Sequence, residues 1–391
     1  MKNSAALSWV RVFVAGAFVF ACGSATSVPV PDERDRPRLA EPGTSSGSTA
    51  PTPPSPPQDG SSPDGSPPDA SVTPVAGFLP GVNLAGADFA AHVDPGVVGT
   101  DYVYPRHEDI DYFATKGMKV IRQTFLWERL QRQLDQPFFE DELARLDDVV
   151  AYASERGLAV LLDPHNYARY RGKVIGSDEE AAPTKAQFGD FWSRLAAQYK
   201  DRPNVLFGIM NEPYAMDTQL WLEDANVAIA AIRSTGATQA VFVPGTSWTG
   251  AHSWRSGEPG TSNAEVMLGV IDPLDNYVYE VHQYLDSDSS GTHRECISPT
   301  IGSERLAGFT AWLEEHGQRG FLGEFAGSTD GPCLPALDDM LSFIDAHRSV
   351  WVGYTYWAGG PRWPDDDMFS VQPSTQDGQD RPQLLELQKH L

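Results

Sequence analysis

A (β/α)8 barrel is the fold class this chain predicts, and three observations predict it. From about residue 76 to the end, eight short apolar runs alternate with amphipathic stretches of helical period. Near-continuous apolar strands joined by helical crossovers make a parallel sheet buried on both faces. Polar and aromatic residues collect at the C-terminal ends of many different runs, at Asn83, Arg122, His165, Glu212, Tyr284, Glu324 and Trp357, a distribution that belongs to a closed α/β barrel. The glycine-rich fingerprint of a dinucleotide or P-loop sheet is missing from the sequence.

Taken in order, Phe78 to Leu84 is the first strand, followed by a loop and a helix around Asp109 to Lys116. Val120 to Phe125 leads to a helix over Glu140 to Arg156, where Leu143, Leu146, Val149, Val150 and Ala153 fall at helical spacing. Leu158 to Asp163 precedes Thr184 to Tyr199, and Val205 to Met210 precedes Thr218 to Thr235. Ala240 to Pro244 is a strand with no helix predicted after it. Tyr277 to Tyr284 precedes Ser303 to His316, and Phe321 to Phe325 precedes Pro335 to His347. Val352 to Trp357 then leads through a polar loop to a last helix near Gln383 to His390.

The N-terminal part has another character. Residues 1–22 carry Lys2 and Arg11, then an apolar run from Val12 to Ala21 that is short for a membrane span and reads as an export signal. Cys22 followed by Gly23 is a candidate lipoprotein site that would tether the protein to a membrane, with ordinary secretion as the alternative. Residues 23–75, rich in Pro, Ser, Gly and Thr, bury too little apolar surface to offset chain entropy and read as a disordered linker. The single catalytic domain is residues 76–391.

The formal net charge of −24 argues against nucleic acid as a partner and is neutral towards an uncharged polymer. With Cys22 set aside, Cys296 and Cys333 remain as a pair in an exported, oxidising compartment, where a disulfide is expected and two buried thiols are the alternative.

Two acids stand out. Glu212 closes the apolar run from Val205, and Glu324 closes Gly320-Phe321-Leu322-Gly323. An apolar strand ending in a lone acid bears a desolvation cost without a packing gain, which suggests chemistry. Read alone, Glu212 is equally a helix-start acid before Pro213. Arg122, at the end of an apolar strand, needs an anionic partner, and a structural ion pair would satisfy it. His165 and His282 lack the companions of a metal site, so no metal or other cofactor is expected. Trp248 follows the fifth strand and suits a sugar subsite. Asn166 either bonds substrate or makes a loop-stabilising turn. Trp254, Trp351 and Trp363 are as well read as packing, and Trp127 is open.

The stretches Gly81-Val82-Asn83, Val120-Ile121-Arg122, Asp163 to Tyr167, Gly208 to Pro213, Val281 to Tyr284, Gly323-Glu324 and Tyr356-Trp357 together resemble glycoside hydrolase family 5 and keep that family's order along the domain. Asp163 to Arg171 and Tyr284 to His293 further resemble its endo-β-1,4-glucanase branch typified by fungal cellulases, which also has a cysteine just after that loop, where Cys296 stands. The resemblance implies Glu212 as acid/base and Glu324 as nucleophile of a retaining hydrolase. It implies Asn211 on the sugar 2-hydroxyl, Arg122 and Tyr284 on the nucleophile, His165 and His282 along the cleft, and Trp357 beneath the sugar at the cleavage point. The expected partner is a β-glucan polysaccharide or oligosaccharide acted on by a monomer. Rival readings are a mannanase, xylanase or mixed-linkage glucanase on the same scaffold, and an inactive glycan-binding surface protein. Pro361 to Asp367 departs from the fungal pattern.

Overall fold

The computed structural model describes residues 77–391. The export signal, Cys22 and the linker predicted over residues 1–75 lie outside the described residues. Eight parallel strands close a barrel: β1 (Leu79–Leu84), β2 (Val120–Phe125), β3 (Ala159–Pro164), β4 (Val205–Gly208), β5 (Val241–Pro244), β6 (Tyr277–His282), β7 (Gly320–Glu324) and β8 (Trp351–Gly359). Sequence neighbours are sheet neighbours, and β8 closes on β1 with Leu79 opposite Gly353. A helix follows each strand: α1 (His107–Thr115), α2 (Glu140–Glu155), α3 (Lys185–Tyr199), α4 (Thr218–Ser234), α5 (Asn263–Val266), α6 (Ile301–His316), α7 (Cys333–Ala346) and α8 (Pro382–Leu387).

Local chemistry sets the boundaries. Helix α3 begins one residue after the predicted start because Thr184 is its cap, its hydroxyl accepting from the Gln187 N–H while the Gln187 side chain accepts from the Thr184 N–H. The Asp217 carboxylate accepts from the N–H groups of Gln219 and Leu220 and starts α4. Gly317, at φ 62°, ends α6. Strands β4 and β6 stop two residues short of their predicted ends, so Asn211, Glu212 and Tyr284 sit on the rim beyond them. The single turn α5 fills the connection for which the sequence predicted no helix.

The barrel interior is apolar at its floor. Leu79, Val120, Leu161, Leu206, Phe242, Val278 and Phe321, each from a different strand, pack there with no helix residue among them. A larger apolar layer lies between strands and helices. Each large side chain buried in these layers contributes about 1.5–3 kcal/mol. Trp254 and Trp351 belong to that outer layer, and Trp127 is fully buried against Phe188 and Phe191, so all three are packing residues. The polar side chains are thereby confined to the upper ends of the strands. Cys296 and Cys333 form a disulfide (S–S 2.02 Å) that ties the loop after β6 to the first residue of α7. Among the described residues no helix is long and apolar enough to cross a membrane.

Candidate active site

Side chains two apart on a strand share a face, and inside the barrel this stacks polar groups in layers beneath its mouth. Arg122 of β2 is completely buried. One of its terminal nitrogens (Nη1) donates to Asn83 Oδ1 and to Glu324 Oε1, both at 2.9 Å, and lies 3.1 Å from Asp163 Oδ2. The other (Nη2) donates to Asn211 Oδ1 at 2.8 Å. Its Nε is 2.9 Å from Glu280 Oε1, a charge contact without hydrogen-bond alignment. Burial works against the guanidinium charge, but Asp163, Glu280 and Glu324 outweigh it and push the Arg122 pKa above its already high value.

Glu324 ends β7 and is 4% exposed. Arg122 holds its Oε1, and the Tyr284 hydroxyl donates to Oε2 at 3.0 Å. Burial, then the charges of Glu324 and Glu212, raise the Tyr284 pKa far above the usual phenol value, so that hydroxyl keeps its proton. Asn83 Nδ2 and the Thr355 hydroxyl both donate to the Gly323 carbonyl, at 2.9 and 2.6 Å, and fix the backbone just before Glu324.

Glu212 is held differently. Its backbone is left-handed, with φ at 38°, a conformation that costs a non-glycine residue about 1–3 kcal/mol and clusters at functional sites. Its carboxylate touches His282 Nδ1 at 2.6 Å, and its side chain is 14% exposed. Burial raises its pKa, His282 opposes that, and the Glu324 carboxylate adds to it, leaving a net rise. The same Nδ1 lies 3.6 Å from Glu324 Oε2, and one oxygen from each carboxylate falls within 4.8 Å of the other. The two acids therefore face each other across one groove.

His165 Nδ1 lies 2.8 Å from Asp163 Oδ2. Asn211 gives its carbonyl oxygen to Arg122, which turns its amide nitrogen to His165 Nε2 at 3.2 Å. The amide can donate to Nε2 only while that nitrogen is unprotonated, whereas Asp163 raises the His165 pKa to about 9 against the cost of burial. The second N–H of Asn211 is left for a ligand. Asn166 is engaged with the segment that follows β2: its Oδ1 accepts from the Trp127 N–H at 2.7 Å and its amide donates to Glu128.

Aromatic rings flank the acids. Trp357 lies near-parallel to His165 (5.5 Å, 22°) and edge-on to Trp363, which in turn meets Phe89. Trp248 is 53% exposed and lies face to face on Tyr214 at 4.9 Å and 9°. Ser247, Trp248 and Thr249 all have positive φ, and the turn is pinned where the Thr249 hydroxyl donates to the Glu280 carbonyl and accepts from the Gly245 N–H. A cavity of about 480 Å³ runs from Glu212, His282 and Tyr284 out between Trp248 and the loop Asp288 to Ser290. The acidic composition of that loop serves to fold it: the Asp286 carboxylate accepts from the N–H groups of Gly291, Thr292 and His293 and from the Ser290 hydroxyl. Gly291 must be glycine, because a Cβ there would meet the Tyr284 ring at 2.6 Å.

The structure thus gathers Glu212, Glu324, Arg122, His165, Asn211, His282, Tyr284 and Trp357 at one mouth, and puts Trp248 on its wall. Sequence reasoning missed Glu280, Asp163 and Tyr214. Glu280 had a usable signal, since it shares the inward face of β6 with His282.

The chain matches the family model "Cellulase (glycosyl hydrolase family 5)" over residues 73–360. Endo-beta-1,4-glucanase B of Aspergillus niger is 42% identical over 294 residues, 75% of this chain and 84% of that protein. Among solved structures, XacCel5A in complex with cellopentaose is 44% identical with a TM-score of 0.78, covering 81% of this chain and 99% of that one. The endo-beta-1,4-glucanase Xac0029 from Xanthomonas axonopodis pv. citri is 44% identical with a TM-score of 0.77, covering 80% of this chain and 98% of that one.

Proposed function

The chain belongs to glycosyl hydrolase family 5, and from that premise we propose that Glu324 and Glu212 are the nucleophile and the acid/base of a retaining endo-β-1,4-glucanase acting on cellulose or a soluble β-glucan. The observation that carries the assignment is the approach of the two carboxylates to within 4.8 Å. Retention wants the pair about 5–5.5 Å apart, whereas inversion needs about 6.5–9.5 Å to admit a water.

Glu324 Oε2 or Oε1 attacks the anomeric carbon while Glu212 gives its proton to the departing glycosidic oxygen. The bond between sugar and leaving chain breaks, and an ester joins Glu324 to the sugar. Glu212, now ionised, takes a proton from water, whose oxygen attacks the same carbon and releases Glu324. Burial suits Glu212 to the first role by favouring its protonated form. Arg122 and Tyr284 suit Glu324 to attack by holding both oxygens in place. Trp357 and Trp248 offer faces to pyranose rings on the two sides of the scissile bond. The cellopentaose bound by XacCel5A supports a β-1,4-linked glucan as substrate.

Proton NMR of a cello-oligosaccharide digest tests the chemistry: the β-anomer is expected first, and an initial α-anomer would overturn the pairing. Reducing-end release is expected to be faster from carboxymethyl-cellulose and mixed β-glucan than from mannan or xylan. The reverse order would move the enzyme to another polymer. We also propose that residues 1–22 direct export, that residues 23–75 tether a monomeric domain, and that Cys22 carries lipid. Mass spectrometry of the mature N-terminus checks this, with unmodified Cys22 as the opposing result.

A further inference from the structure

Glu280 is a buried acid that the steps above leave unused. It sits on β6 one inward position below His282 and is 1% exposed. Its Oε1 lies 2.9 Å from Arg122 Nε and 3.5 Å from His282 Nε2. Its Oε2 has no hydrogen-bond partner within the protein. The neighbouring strand makes room for it: a Cβ on Gly323, the residue before Glu324, would lie 2.1 Å from Glu280 Oε1. Glycine at 323 and glutamate at 280 are a matched pair, and the space is given to a charge beneath the acids.

The charges around it explain why. Arg122 alone faces three carboxylates, those of Asp163, Glu280 and Glu324. His282 also has three carboxylates about it: Glu212 beyond β4 and Glu324 of β7 at Nδ1, Glu280 of its own strand at Nε2. When Glu212 is protonated it no longer supplies a negative charge, and Glu324, 3.6 Å from Nδ1 and shared with Arg122 and Tyr284, is left as the one carboxylate on that side of the ring. Glu280 touches the opposite nitrogen, which Glu212 and Glu324 do not reach.

We propose that Glu280 is a positioning residue that keeps His282 as an imidazolium throughout turnover and aims its Nδ1–H at Glu212. As the Glu212 proton departs with the sugar oxygen, the new carboxylate finds a full N–H donor 2.6 Å away. In the second half, the same donor keeps Glu212 ionised until water surrenders its proton. The raised His282 pKa, about 10 against the cost of burial and through Glu324, Glu212 and Glu280, agrees with this, as does the lowered pKa that Arg122 and His282 give Glu280 despite its burial.

The inference rests on Glu212 being the acid, and its test separates the two. In the full-length enzyme labelled with ¹⁵N-histidine, the His282 ring (assigned by its loss in His282→Gln) is expected to show both nitrogens protonated at pH 7. A neutral ring overturns the proposal and leaves the acids' assignment standing. In Glu280→Gln, kcat is expected to fall about 10- to 100-fold on cello-oligosaccharides with KM unchanged. The alkaline limb of kcat/KM is expected to move down by about one pH unit or more, because removing a negative charge weakens proton binding. The loss should shrink on aryl cellobiosides with good leaving groups. A lowered Tm with an unmoved limb and equal loss on all substrates would make Glu280 a packing partner of Arg122 only. If Glu280→Gln does not fold, the ring protonation in the unaltered enzyme still decides. A charged ring beside a Glu212→Ala variant that loses equally on every leaving group unseats the acid assignment and the proposal with it.

Discussion

Two regions of this molecule that bury acid side chains are built on opposite terms. At the barrel mouth, Glu324 has a partner on each oxygen and Glu212 meets His282. On α4, Asp224 is also completely buried, yet neither of its oxygens has a hydrogen-bond partner in the protein. Burial, helped by the Glu223 charge, pushes its pKa up to about 7, with nearby Lys185 only partly opposing. Packing around Asp224 is tight, since a Cβ on Gly176 would come within 2.9 Å of its Oδ1. A buried acid with charged partners is held ready to react, whereas a buried acid without them is a cost to stability.

Four substitutions press on that contrast, in falling order of expected effect. Glu324→Gln should lose at least about 10⁴-fold in kcat on carboxymethyl-cellulose while still binding oligosaccharide; near-normal turnover would break the comparison at its firmest point. Glu212→Ala should lose about 10²–10⁴-fold on cellulose but much less on aryl cellobiosides with good leaving groups, measured as kcat over a leaving-group series. Tyr284→Phe removes one hydrogen bond to a charged carboxylate, worth about 1.5–3 kcal/mol, and should lower kcat about 10- to 100-fold with little change in Tm. Asp224→Asn should do the converse, leaving kcat alone and moving stability.

The sign for Asp224 follows from linkage. Its folded pKa, about 7, lies above its unfolded value near 3.8. Between those values the folded state keeps a proton that the unfolded state has lost, so stability falls as pH rises from about 4 to 7 and then levels. Asp224→Asn should remove that fall, raising Tm at pH 8 relative to the unaltered enzyme and narrowing the gap at pH 4. The expected gain is on the order of 2–4 kcal/mol. A Tm difference independent of pH would mean that Asp224 is ionised in the folded state.

The mouth was legible in the sequence because its side chains terminate apolar runs. Glu212 and Glu324 each interrupt hydrophobic patterning where a strand meets the rim, whereas Arg122, read as a strand-end residue, is the third of six in β2 and reaches Glu324 from inside the barrel; alternation with helices placed those rims together. Glu280 was harder to read: it lies inside a strand between tyrosine and valine, so no strand end marks it, and only the inward face it shares with His282 gives it away. Asn166 was read as able to reach substrate, but its amide is committed to Trp127 and Glu128, a competition that local spacing does not reveal. The wall at Trp248 depends on three left-handed residues and on Tyr214 from another loop, and neither pattern nor propensity points to either. Asp224 carries no mark in the sequence, since only tertiary packing buries it.

The bond between Cys296 and Cys333 spans 37 residues of chain, and closing a loop of that length is worth about 4 kcal/mol on the chain-entropy account. The segment it encloses holds α6 and β7, with Glu324 at the strand's tip. Synthesis in a reducing cytosol would forfeit that constraint, so material made there should be poorer in thermal tolerance than material matured in an oxidising compartment. A protease nick inside the enclosed segment would likewise leave the two pieces covalently joined, and the break would show on a gel only after a thiol had been added.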